Sequence, residues 1–140
     1  MIEFHYATHF KLEDVAILKS WISNVVSSEG FELGDIAFNF CDDNYLHKLN
    51  VEFLAHDTLT DILTFDYGIG KQIHGEIYIS VDRVAENAKD YDTDFQTEMN
   101  RVIIHGILHL CGYKDKTGQE EMLMRNKEDE MLQMLWGMKQ

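Results

Sequence analysis

His105 and His109 stand four residues apart in the stretch Val102-Ile103-Ile104-His105-Gly106-Ile107-Leu108-His109-Leu110-Cys111-Gly112-Tyr113-Lys114-Asp115. On an α-helix that spacing puts both imidazoles on one face, one turn apart. Two imidazoles so placed can grip a single metal ion. Gly112 suits a helix stop, because glycine takes the left-handed conformation just past a C-terminus. The chain can then turn and bring Asp115 back toward the pair. The pattern His-x3-His-x5-Asp supplies two nitrogens and one oxygen and leaves one coordination position free. Three protein ligands with an open fourth position is the catalytic arrangement of zinc. The competing reading is two structural histidines satisfied by hydrogen bonds within an apolar helix. Cys111 would be a third soft ligand, but successive helix positions turn by about 100°, which points it away from the pair.

The chemistry open to such a site is limited. His-Glu-x-x-His proteases carry their general base beside the first ligand, and here Gly106 holds that position. Two imidazoles and a carboxylate also suit non-haem iron, but nothing else in the chain suggests a cosubstrate pocket. Hydrolysis supported by one zinc ion fits better. No residue singles itself out as a general base. Gly106 within a helix costs about 1 kcal/mol against alanine. That cost implies close approach of another segment or a substrate, or simply tight packing.

The elements that must position these residues follow from the rest of the chain. With 140 residues, 45% of them hydrophobic, the sequence predicts one globular domain over 1–140. Net charge is −13 and the pI about 4.7, which argues against nucleic-acid binding through bulk electrostatics. A nucleic acid would have to be held by a local basic patch, the metal or a partner. No apolar run approaches the roughly 20 residues of a membrane span. The N-terminal residues lack a secretion signal. Cys41 and Cys111 read as buried free thiols of a reducing cytosol, so the expected location is cytoplasmic.

Alternation at Ile2, Phe4 and Tyr6 predicts a strand, and helical spacing from Leu12 to Val26 predicts a helix over 11–28. Ile36, Phe38 and Phe40 form a second strand. Asp42 or Asp43 caps a helix running through Leu46, Leu49 and Phe53, followed by a polar loop over 54–60. Residues 61–65 and 75–80 read as strands, joined by a hairpin or a wider connection. Ser80 caps a short helix over 81–91. Thr93 with Gln96, and Thr117 with Glu120, have capping-box form. The first opens the His105/His109 helix. The second opens a last helix with Met122, Leu123, Met131, Leu132 and Leu135 as apolar positions, its methionines serving as soft core filler. The order β-α-β-α-β-β-α-α-α predicts an α+β fold: a small four-stranded mixed sheet packed with about five helices, the His105/His109 helix central.

The stretch from His105 to Asp115 resembles the signature of the YbeY family of bacterial metal-dependent endoribonucleases, His-Gly-x-Leu-His-Leu-x-Gly-Tyr-Asp-His. Leu49-Asn50-x-x-Phe53, Asp57-x-x-Thr60-Asp61-Ile62-Leu63-Thr64-Phe65 and Gly75-Glu76-Ile77-x-Ile79 resemble further stretches of that family, in its order. The resemblance implies a zinc-dependent, single-strand endoribonuclease of the cytoplasm. It would act in ribosomal RNA maturation at the 16S 3′ end and in ribosome quality control. Ribosomal RNA, and with it ribosomal proteins or the small subunit, would be its partners, and no membrane is involved. One zinc ion would be held by His105, His109 and Asp115. Thr60, Asp61 and Lys114 would lie along the substrate groove; Asp61 equally suits capping or orienting a loop. Two positions depart from the family pattern. Asp115 stands where the family has a third His ligand, and Leu54 stands where it usually has an Arg, so substrate binding would differ or be weaker; Lys114 and Lys116 could partly substitute, or else are solvated loop lysines. A non-catalytic ribosome assembly factor with a structural metal is the alternative, favoured by the acidic charge and by Leu54.

Overall fold

The computed structural model describes residues 1–54 and 60–140, the side chain of Leu54 excepted. Leu54's side chain and Asp57 therefore lie outside the described residues, as does most of the expected 54–60 loop. Nine elements follow in the expected order: β1 (Ile2–Tyr6), α1 (Val15–Ser28), β2 (Glu32–Cys41), α2 (Asp43–Leu54), β3 (Ile62–Asp66), β4 (Gln72–Ser80), α3 (Val81–Asp90), α4 (Phe95–Leu110) and α5 (Gly118–Met138). The sheet is mixed, ordered β1-β2-β4-β3. β1 and β4 flank β2 in parallel, with Phe4 beside Phe38 and Phe38 beside Ile77. β3 closes the edge antiparallel to β4, with Thr64 beside Ile77. The connection left open between these two strands is thus a hairpin.

Strand alternation divides the core. Phe38, Phe40, Ile77 and Ile79 point to the face covered by α1 and α4, with α5 packed on those two helices. Their neighbours Cys41, Leu63 and Tyr78 point the other way, under Leu46 and Leu49 of α2. α4 runs through the larger layer. Met99, Ile103, Ile104, Ile107 and Leu108 are fully buried on it, as expected of a helix apolar nearly all round.

Several local expectations need correction. α1 starts at Val15, not 11, because Asp14 sits in the left-handed region at φ 55°; Leu12 still reaches the core from the preceding loop. β2 begins at Glu32, and a register shift between Leu33 and Ile36 interrupted its alternation. The cap of α4 is Asp94, whose carboxylate accepts the Thr97 N–H at 2.7 Å, rather than Thr93. Gln96 donates to Asn100 instead of closing a box. At α5 the Thr117/Glu120 capping box is complete. Met122 and Leu123 are exposed, and Met124 takes the inward position with Met131, Leu132 and Leu135.

Two glycines set how closely α4 lies on the sheet. A Cβ on Gly106 would meet Ile62 Cδ1 at 3.0 Å and Ile77 Cδ1 at 3.1 Å. One on Gly75 would meet the Phe65 carbonyl oxygen at 2.7 Å and Leu110 Cδ2 at 3.0 Å. The helix cost of Gly106 thus goes with tight packing of α4 against β3 and β4.

Candidate metal centre

α4 ends in a Schellman turn, which sets up the site. Gly112, at φ 101°, donates its N–H to the His109 carbonyl, and the Tyr113 N–H reaches the Leu108 carbonyl. The chain reverses there and delivers Asp115 beside the exposed edge of the helix. His105 Nε2 and His109 Nε2 lie 3.0 Å apart. Asp115 Oδ2 lies 3.2 Å from each of them.

The other ring nitrogens show which protons are present. His109 Nδ1 lies 2.9 Å from the Tyr113 carbonyl oxygen, which only accepts, so Nδ1 carries the hydrogen. His105 Nδ1 lies 2.6 Å from Glu128 Oε2 and donates to that carboxylate. With both neutral rings protonated at Nδ1, both Nε2 atoms present bare lone pairs. They converge on each other and on a carboxylate oxygen. Three acceptors at such distances repel unless a proton or a cation lies among them. A tetrahedral zinc with bonds of about 2.0–2.1 Å separates its ligands by about 3.3 Å, close to these spacings. The three residues could hold a metal ion, and they fit one.

Glu128 carried no local sequence signal toward His105, since 23 residues separate them. The signal available was a carboxylate on the apolar stripe of α5, one turn from Met124 and Leu132. It is 4% exposed. Arg101 braces it through Nη1 at 2.9 Å, while Nη2 holds Asp129 at 2.6 Å. Burial works against protonating His105, but the hydrogen bond and charge of Glu128, with Asp115 and Asp61, outweigh it and raise its pKa. This is the carboxylate–histidine arrangement that orients a ligating imidazole and raises its basicity.

Two clefts flank the group. One, of about 550 Å³, runs along β3 and includes Thr60, Asp61 and Lys116. The other, of about 280 Å³, lies among α3, α4 and α5 and includes Asn87, Glu98 and Arg125. His105, Asp115 and Asp61 line both. Asp61 accepts a hydrogen bond from Asn87 Nδ2 at 3.2 Å, and burial pushes its carboxyl pKa up. The Thr60 hydroxyl donates to the Ile62 carbonyl. Lys114 is exposed and lines neither cleft. Cys111 packs into the core, its thiol pushed up to about 12 by burial, and does not join the three-residue group.

Fold and site define a small α+β protein whose central helix and exit loop present a candidate metal centre, reached from two clefts. A family profile described as Endoribonuclease YbeY matches residues 4–136, and the chain belongs to that family. It is 53% identical to Endoribonuclease YbeY of Flavobacterium johnsoniae over 134 residues, 96% of each chain. It is 49% identical to the Porphyromonas gingivalis protein of that name over 119 residues, 85% of this chain and 79% of the relative. The solution structure of TM1509 from Thermotoga maritima shares the fold at a TM-score of 0.67 and 29% identity, covering 98% of this chain and 90% of that one.

Proposed function

We propose that this chain is a zinc-dependent endoribonuclease acting on single-stranded ribosomal RNA in the cytoplasm, near the 3′ end of 16S RNA and in ribosome quality control. The observation that carries the metal centre is the convergence of two Nε2 atoms and one carboxylate oxygen within 3.2 Å. When bound, zinc supplies Lewis acidity at a phosphoryl oxygen and makes a neighbouring water more acidic. His105 and His109 hold their hydrogens at Nδ1 and keep Nε2 free for the ion. Glu128 and the Tyr113 carbonyl lock those orientations. Asp115 adds the negative ligand and, as the most exposed of the three, faces the clefts. Thr60, Asp61 and Lys116 line the longer cleft, where a strand of RNA would lie, and Lys114 stands outside its rim. With a net charge of −13, local cations and the ion must hold the RNA.

The acidic surface also fits a ribosome assembly factor in which the ion only ties α4, its exit loop and α5 together. Asp115→Ala separates the two. Purified protein is loaded with zinc, then assayed for cleavage of single-stranded RNA and for thermal unfolding. A nuclease loses cleavage on this substitution while staying folded. A structural centre has no cleavage to lose, and the substitution shows in Tm alone. Wild-type protein that takes up no zinc and cuts no RNA refutes the nuclease reading.

A further inference from the structure

The smaller cleft holds a group that the metal centre does not use. Glu98 is 5% exposed and lines this cleft. Among the described residues its carboxyl has neither a hydrogen-bond nor an ion-pair partner. No buried side-chain oxygen among them is both sealed and unpartnered, so the carboxyl opens on the cleft. Burial raises its pKa, against the charges of Arg101 and Arg125, which act to lower it. Tyr91, the residue that caps α3, also lines this cleft and is 60% exposed. The guanidinium of Arg125, from α5, lies over one face of that ring, 5.9 Å from its centroid, with Nη1 3.7 Å from Glu128 Oε1, and leaves the other face for a base. His105 and Asp115 of the metal centre line the same cleft.

We propose that this cleft is a nucleobase subsite beside the metal centre: one base of a single strand stacks on Tyr91, Glu98 reads its edge, and Arg125 meets the adjoining phosphate. The proposal rests on the endoribonuclease reading. Each part follows from ordinary recognition chemistry. An aromatic face accepts any base, and a cation beside it serves the backbone. A buried carboxyl with no hydrogen-bond partner among the described residues is a poor resident of a core, but a base edge satisfies it. At about 280 Å³ the cleft is near the small end of ligand sites, suited to one base rather than a helix of RNA. A single-stranded substrate is what such a subsite requires, because a paired base could not enter.

The test is titration of zinc-loaded, isotope-labelled full-length protein with guanosine 3′-monophosphate and, separately, uridine 3′-monophosphate, followed by NMR. The expected result is saturable binding that shifts the amides around Asn87, Tyr91, Glu98 and Arg125. Tyr91→Ala weakens both nucleotides by a similar factor, about 5-fold or more for a lost stack. Glu98→Gln changes the ratio of the two affinities. Tyr91 and Arg125 are exposed, so their variants keep the fold, and Glu98→Gln keeps the shape. The subsite is refuted if Tyr91→Ala binds both nucleotides as wild type does, or if neither nucleotide binds saturably. An unchanged ratio in Glu98→Gln removes Glu98 from it. RNA cleavage by the same wild-type sample is read in parallel. Cleavage with no nucleotide binding in the cleft overturns the subsite alone. Absence of cleavage overturns the enzymatic reading, while the titration still decides the cleft.

Discussion

Glu128 contributes no atom to the His105/His109/Asp115 group, yet it determines which nitrogen of His105 faces it. Its 2.6 Å contact with Nδ1 fixes the tautomer, and Arg101 keeps the carboxylate in place. Glu128→Gln keeps the side chain's length but removes its charge and its certainty as an acceptor. Zinc affinity should fall about 10–100-fold, as measured by competition with a chromophoric chelator. An unchanged affinity would mean that His105 orients itself. Among the described residues Asp115 has no such brace, and its carboxylate meets the two imidazoles alone.

That turn makes α4 and its exit loop one functional element. Gly112 sits at φ 101°, a conformation that opposes any side chain. Gly112→Ala should cost about 1–2 kcal/mol of stability in a urea titration. It should weaken zinc binding as well, since Asp115 is only three residues beyond the turn. A loss of stability with metal affinity intact would show that the loop recovers its path by another route. α5 completes the element from the other side. Its Thr117/Glu120 capping box starts the helix directly after the loop, and this start sets the phase that turns Glu128 inward. Thr117→Ala should cost about 1 kcal/mol, again read by urea unfolding.

For the molecule as a whole, protons and the cation compete. His105 in the metal-free protein has its pKa raised above the ordinary 6.5. The folded state therefore holds that proton more tightly than the unfolded chain does. The resulting stability is fully present below 6.5 and is lost as pH climbs through the raised value. Burial raises Asp61 and Glu98 above their ordinary 3.8 and 4.5, and raised carboxyls act with the same sign over a lower window. Metal-free protein should thus lose stability as pH rises, whereas zinc needs His105 unprotonated and binds better. The Tm gap between loaded and metal-free protein should widen from about pH 5.5 to about pH 8; a constant gap would contradict it. Charge sets a second expectation. An acidic molecule that meets RNA through a few local cations should show a shallow salt dependence. The slope of log affinity against log salt should correspond to about one to three phosphates, each contributing about −0.7 for a single strand. Filter binding over a salt series measures it.

Local patterns made the order of the elements, the central helix and the His105/His109/Asp115 spacing legible before any coordinates. Periodicity reports which face of an element is buried, and ligands within one turn and its loop are set by helix geometry alone. Patterns of that kind do not reach across the chain. Nothing within a few residues of His105 pointed to Glu128 or Asn87, because those contacts depend on how α3 and α5 pack against α4; Arg101, one turn before His105 on α4, gains its role only when α5 brings Glu128 to it. Where two local signals competed, as Thr93 and Asp94 did for the cap of α4, packing chose between them. So the kind of site was written in short-range spacing. The direction of its lone pairs, the clefts beside it and the unpartnered Glu98 were decided by tertiary structure, since each depends on atoms brought together only when distant segments share one core.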